Sequence, residues 1–497
     1  MTPDVRFELL WPEFLVAGLA FLVFTLDFFV RPARKEVLAW VSAAGLAVII
    51  AFTVPFLLNE HDSLFDGLYR VDSYALFFKV LSMGIGIAVI LGSLHFVDRR
   101  LTHPGEYYAI IIVSVLAMMM MAASGELLTA YLSLELLSFC LYILSGFALQ
   151  DRRSNEASVK YVLLGAFSSG LLLYGIVLLY GALGTTHFAG MAAALEGTGG
   201  VDGRLLVGLA LVVAGLGFKL AAVPFHMWAP DVYQGAPMPI TAYIAVGSKA
   251  AAFALALRLF YEALAPAYDE WQLLIAGMAA LTMIFGNVVA IVQTNVKRML
   301  AYSSVGQVGF LLMGIAALSP LASNALMVHL VGYSVTNFAV FFAITAFYNA
   351  TGKDDIPDFA GLAGRAPFLA AAITVGLFSL AGLPFLAGFV TKFYLFSAAA
   401  AEGLLWLAGV AMVASLISLY YYLQLIRQMY IEKAPEDEAG SVAVATPGVL
   451  AAVIGAMALG TVLLGVYPEP VLATIREATA ALLDTGSAWP TLGAAGQ

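Results

Sequence analysis

The sequence predicts an all-α polytopic membrane protein of about fourteen transmembrane helices, and three observations carry that prediction. Of 497 residues, 62% are hydrophobic and only 11% charged, against roughly 25% charged in an ordinary soluble domain. The apolar residues gather into runs long enough to cross a hydrocarbon core about 30 Å thick at about 1.5 Å of rise per residue. Lys and Arg fall mostly in alternate connections between those runs, the pattern that orients membrane helices.

The runs cover 9–30, 37–58, 73–95, 106–123, 126–148, 157–181, 204–226, 238–262, 271–293, 300–318, 323–348, 366–398, 403–430 and 444–466. Helix 1 follows MTPDVRFELL, which lacks the basic start of a signal peptide, so the first run is expected to stay as a helix. With the N-terminus outside, thirteen basic residues lie in inner connections: Arg31, Arg34, Lys35, Arg99, Arg100, Arg152, Arg153, Lys297, Arg298, Lys353, Arg365, Arg427 and Lys433. Arg6, Arg70, Arg204 and Arg476 lie outside, with Arg258 near that boundary. The bias places both termini on the periplasmic side of a bacterial inner membrane.

Four charges stand in the middle of these runs, where each costs at least about 2.5–3.5 kcal/mol to insert. Glu135 on helix 5 (AYLSLELLSFCLY) and Lys219 on helix 7 (GLGFKLAAVPF) are opposite in sign, and pairing would offset part of that cost. Lys249 on helix 8 (IAVGSKAAAFAL) has no acid within a helical turn, and Lys392 on helix 12 (GFVTKFYLF) follows a Gly/Pro-rich interruption. Intramembrane ionisable groups mark ion or proton routes. Lys160, opening helix 6, fits two readings: snorkelling to the inner surface, or a second partner for Glu135. Lys79, two turns into helix 3, is read as snorkelling outward. His226 fits either proton uptake or a bond to freed carbonyls, and His329 either a relay in the second half or a satisfied core histidine. Asp231 and Tyr233 are expected to organise an inner-side loop. Cys140, the one cysteine, reads as a small core residue and excludes disulfides and cysteine-held clusters within the chain. No GxGxxG follows a strand, no haem pair is present, and no basic tract suggests nucleic acid.

Helices 7 and 12 are expected to be broken. Pro224 and Pro230 interrupt KLAAVPFHMWAP, and Gly382, Pro384 and Gly388 interrupt LAGLPFLAG. Breaks in corresponding positions of two halves point to inverted repeats with a site between them. The division is then 1–105 for helices 1–3, 106–265 for a first repeat of helices 4–8, 266–432 for a second repeat of helices 9–13, and 433–497 for helix 14 and a tail. The internal match is weak, because a lysine precedes Pro224 by five residues but follows Pro384 by eight.

VPFHMWAPDVYQGAPMPITAYIAVGSKAA, KRMLAYSSVGQVGFLLMG, LAGLPFLAGFVTKFYLF and SVKYVLLGAFSSGLLLYGIVLLYG together resemble subunit N of respiratory NADH–quinone oxidoreductase (complex I), from about helix 3 to helix 13. The resemblance implies fourteen helices in two inverted five-helix repeats and proton-path roles for Glu135, Lys219, Lys249 and Lys392. It also implies a polar-path role for Lys160. Val305-Gly306-Gln307 stands where the family more often has Ile-Ser-His, so no histidine role transfers there. The expected activity is that of a non-redox subunit of a proton-translocating NADH:quinone oxidoreductase, with no cofactor in this chain. Flavin, iron–sulfur clusters and quinone would belong to partner subunits. Expected partners are other membrane-arm subunits, including a neighbouring antiporter-like subunit and small membrane subunits. The alternative is an Mrp-type cation/proton antiporter subunit, which shares the Glu and Lys pattern but differs at PDVYQGAPMP.

Overall fold

A computed structural model describes residues 6–31, 34–197, 202–433 and 445–484. The spans are α1 (Trp11–Phe29), α2 (Glu36–Leu57), α3 (Ser73–Arg100), α4 (Pro104–Ala123), α5 (Leu127–Ser145) and α6 (Arg152–Leu183). They continue as α7, in two pieces (Gly203–Leu220 and Trp228–Gly235), α8 (Met238–Ala263), α9 (Tyr268–Ala290), α10 (Val296–Ala316) and α11 (Pro320–Thr351). The last are α12, again in two pieces (Pro367–Ala381 and Ala387–Ala401), α13 (Leu405–Tyr430) and α14 (Gly448–Val466). Among the described residues thirteen helices are long and apolar enough to cross a membrane, and the two halves of α12 supply one more crossing. The count of fourteen expected from sequence is therefore met, although the expected first residue of helix 14, residue 444, lies outside the described residues.

Burial sorts the spans into layers. α8 is buried along its whole apolar window and α10 and α11 nearly so, whereas α1, α2, α6, α13 and α14 keep most of theirs on the outer surface. The faces of the bundle alternate, so connections α1–α2, α3–α4, α5–α6, α7–α8, α9–α10 and α11–α12 share the basic face and the others share the opposite face. A two-stranded antiparallel hairpin, β1 (Asp62–Leu64) with β2 (Tyr69–Val71), closes the opposite face between α2 and α3, and Tyr69 bridges to Ser124.

Two five-helix repeats, α4–α8 and α9–α13, run in opposite senses and share features that the sequence hides. α6 and α11 are each 32 residues long and end on a left-handed glycine, Gly184 (φ 74°) and Gly352 (φ 72°). The segment after each helix then pairs with the segment that starts the helix before it. Leu127 N donates to Thr186 O (3.0 Å) and Phe188 N to Gly125 O (3.1 Å) in the first repeat, and Val296 N to Asp354 O (3.0 Å) and Ile356 N to Thr294 O (2.8 Å) in the second. Glu126 and Asn295, at the centres of these pairings, cap α5 and α10 with their side chains. One clasp lies on the opposite face and the other on the basic face.

Besides the hairpin, several elements were not foreseen. A short helix, Phe188–Gly197, fills the α6–α7 connection. The tail after α14 forms α15 (Glu469–Leu483), whose Leu472, Ile475, Ala478 and Leu482 are buried. It packs on α3 and α11. α8 contains π turns at Ile244–Ser248 and Leu259–Ala263.

Candidate functional site

Both broken helices present a lysine at the end of their first half. α7 stops at Leu220 because Ala221 turns left-handed (φ 62°), after which Val223 N donates to Thr282 Oγ1 (3.0 Å) and Trp228 Nε1 to Phe218 O (2.8 Å). Lys219 lies in the last turn of that half-helix. α12 stops at Ala381 as Gly382 turns left-handed (φ 91°), and Gly388 N donates to Ser379 Oγ (2.9 Å). Lys392, on the second half, reaches back across the break: its Nζ donates to Leu380 O (2.6 Å) and to Ser415 Oγ (2.9 Å). A cation is thus held at the negative end of a half-helix in each repeat. The unequal spacing of lysine and proline in the two halves is explained by this, because one lysine is on the half-helix and the other folds back onto it.

Lys219 Nζ contacts Glu135 Oε1 at 3.3 Å, Ser138 Oγ at 2.7 Å, Ser169 Oγ at 3.2 Å and Tyr142 OH at 3.3 Å. Ser169 Oγ in turn donates to Glu135 Oε1 at 2.5 Å. The ion pair is longer than the bond to Ser138 and no shorter than those to Ser169 and Tyr142, so hydroxyls carry much of the ammonium's solvation. Lys249 follows the first π turn of α8 and is buried. Its Nζ donates to the Ser304 carbonyl (3.0 Å) and to the Ser304 hydroxyl, with the rings of Tyr233 and Tyr333 each 5.9 Å away. Among the described residues no carboxylate pairs with Lys249 or Lys392.

From Ser304 a polar chain continues toward α12. Tyr333 OH and Ser304 Oγ are 2.8 Å apart, the His329 ring stacks on Tyr333 at 6.3 Å, and His329 Nδ1 lies 2.9 Å from Thr391 Oγ1, the residue before Lys392. Between Lys219 and Lys249 the wall is aromatic: Tyr142 packs on Tyr161 (4.7 Å) and Tyr161 stacks on Trp228 (4.5 Å). Ser304 is the ninth residue of α10 and Glu135 the ninth of α5. Where the first repeat places a carboxylate, the second places a hydroxyl.

The transmembrane family described as NADH:quinone oxidoreductase/Mrp antiporter matches residues 124–418. NADH-quinone oxidoreductase subunit N of Moorella thermoacetica is 42% identical over 464 residues, covering 93% of this chain and 96% of that protein. The chain belongs to the subunit N family of NADH-quinone oxidoreductase. One chain of the respiratory complex I of Thermus thermophilus with bound aureothin superposes with a TM-score of 0.79 at 28% identity, covering 94% of this chain and 99% of that one. A chain of the Mrp complex of Dietzia sp. DQ12-45-1b reaches a TM-score of 0.83 at 22% identity over 97% of this chain and 98% of that one, a likeness of fold alone.

The remaining sequence candidates fall outside this row. Lys160 pairs with Glu156 (2.8 Å) and Asp231 (2.8 Å) at a half-exposed pocket on the basic face, where Asp231 also holds Arg298 (2.7 Å). It does not touch Glu135, which corrects that reading: Asp231 on the second half of α7 captures the ammonium first. His226 lies in the α7 break with its ring 4.7 Å from Phe285, and its Nδ1 makes no hydrogen bond among the described residues. Lys79 does not snorkel. It is fully buried and pairs with Glu13 of α1 at 3.1 Å. Arg258 is buried too, and its Nη2 contacts both Asp72 carboxylate oxygens at 2.8 Å. These pairs join residues far apart in sequence and precede the family match or lie at its opposite-face rim. A window along one run sees a charge near a helix end and cannot see the partner that draws it inward.

Proposed function

We propose that the chain is a proton-translocating membrane-arm subunit of an NADH–quinone oxidoreductase, moving protons along the row Glu135, Lys219, Lys249 and Lys392 without redox chemistry of its own. The observation that supports this most directly is charge imbalance in a buried row: three lysines share one acid, and Ser304, Tyr333, His329 and Thr391 link the second lysine toward the third. A lysine with neutral partners can be held as ammonium or amine without leaving an orphaned carboxylate, which suits a site that loads and unloads.

In this reading the Glu135–Lys219 pair is the switch. Closed, it supports the ammonium together with Ser138 and Ser169; opened, that support falls away and the proton moves past the aromatic wall to Lys249, then by Ser304, Tyr333 and His329 to Lys392. Moving one charge against 100 mV requires about 2.3 kcal/mol, supplied by redox chemistry in partner subunits that hold flavin, iron–sulfur clusters and quinone. The basic face is cytoplasmic, both termini are periplasmic, and neighbouring antiporter-like and small membrane subunits flank the chain in the inner membrane. Lys219→Ala in the complete complex tests the assignment. Proton pumping should be lost or greatly reduced while NADH oxidation by artificial acceptors at the hydrophilic arm persists; normal pumping would sink it.

A further inference from the structure

The opposite-face end of α8 holds an arginine that ties three elements together: the end of α4, the cap of α3 and the last turn of α8 itself. Arg258 Nε donates to Ala122 O at the end of α4 (2.6 Å), Nη1 to Glu262 (2.6 Å), and Nη2 to both oxygens of Asp72, the cap of α3 (2.8 Å each). The Tyr74 ring lies 4.7 Å from the guanidinium, and Arg70 of β2 joins through Glu262 at 3.4 Å. The other charged pair near this end, Glu13 with Lys79, stands across Tyr69, whose ring is 5.2 Å from the Lys79 Nζ.

Arg258 is also the last residue of the α segment Lys249–Arg258, and Lys249 is the first. A π turn bounds each end, Ile244–Ser248 before and Leu259–Ala263 after. A π turn changes the phase of a helix about its axis, so helix continuity alone does not fix how this segment is rotated. The residues between the two charges, AAAFALAL, are small or smooth and key poorly against neighbours. Apart from Tyr74 OH donating to Ala254 O (2.7 Å), the directional contacts of the segment are at its two charged ends. A guanidinium gripping a carboxylate with two bonds has a fixed geometry that an ammonium lacks.

We infer that Arg258 is a positioning residue for Lys249: its grip on Asp72, Glu262 and the end of α4 sets the rotation of the segment and so presents the Lys249 ammonium to Ser304. This rests on Lys249 lying in the proton path. It adds that the opposite-face charge network, outside the row, controls one member of it.

The test is a double-mutant cycle on proton pumping per NADH oxidised, measured with the complete complex in vesicles and matched for assembled amount. Arg258→Gln and Ser304→Ala should each lower the ratio several-fold, and the double variant should pump no worse than the more impaired single one. Lys249 and Arg258 are nine residues apart, about 13 Å of helix, and effects at that separation ordinarily add. Losses that multiply in the double variant would overturn the inference, as would normal pumping in Arg258→Gln. If Arg258→Gln does not assemble, Arg258→Lys takes its place; it keeps the charge without the fork and should still pump poorly. Full pumping by Arg258→Lys, or its failure to assemble, would mark a purely architectural network and also overturn the inference. Lys249→Met serves as the control: normal pumping there refutes the path itself, whereas loss there with a multiplicative cycle refutes only the positioning role.

Discussion

Among the described residues Lys249 and Lys392 have no acid to orphan, and Lys219 does. Removing one partner of a buried pair costs on the order of 3–5 kcal/mol because the other charge is left uncompensated, so Lys219→Met should lower the melting temperature of the purified complex through Glu135. Lys249→Met and Lys392→Met remove a desolvated charge whose partners are hydroxyls and carbonyls, and should leave that temperature unchanged or raised while abolishing pumping. Equal destabilisation by all three would refute this division. Lys79→Met, which strands Glu13, belongs with Lys219→Met in the stability readout. The sequence revealed Glu135, Lys219, Lys249 and Lys392 because each stands far from the ends of its apolar run. It misread Lys79 and gave Arg258 no role beyond a place near the boundary, because each lies near an end and their partners Glu13 and Asp72 come from segments a one-dimensional scan never compares with theirs.

The two breaks were legible as elements because Pro and Gly interrupt apolar runs there, and their chemistry was not. That Lys392 folds back onto Leu380 O, or that Ser304 occupies the place of Glu135, follows from how half-helices meet in space. The α12 junction depends on a close approach: a Cβ on Gly388 would stand 1.7 Å from Ser379 O. Gly388→Ala should therefore force the halves of α12 apart, displace Lys392 from Leu380, and reduce both the yield of assembled complex and its pumping. A normal yield with normal pumping would show that the junction tolerates the shift. Trp228→Phe is milder. It removes the indole bond to Phe218 O, worth about 1 kcal/mol, and part of the buried ring stacked on Tyr161, and should lower thermal stability with pumping retained. The π turns of α8, α15 and the helix Phe188–Gly197 left no usable signal, since their residues read equally well as plain helix, tail or loop.

At the scale of the whole molecule, composition and the lysine–arginine pattern specified a fourteen-span bundle, and its halves run in opposite senses because each repeat has five spans, an odd number, which puts the equivalent clasps at Glu126 and Asn295 on opposite faces. Each clasp ties the start of one helix to the end of the next within its own repeat. Which face meets the cytoplasm is decided by experiment at these loops. Here the solitary, buried Cys140 makes the chain nearly silent to water-soluble thiol reagents as it stands. A cysteine introduced at Thr351, the last residue of α11, or at Glu196, in the α6–α7 connection, would therefore report alone. An impermeant maleimide should label the first only from the cytoplasmic side and the second only from the periplasmic side; the reverse pattern would invert the orientation proposed above. A residue that does no chemistry in the row thus makes every other position in the chain available as a single, unambiguous reporter of sidedness and water access.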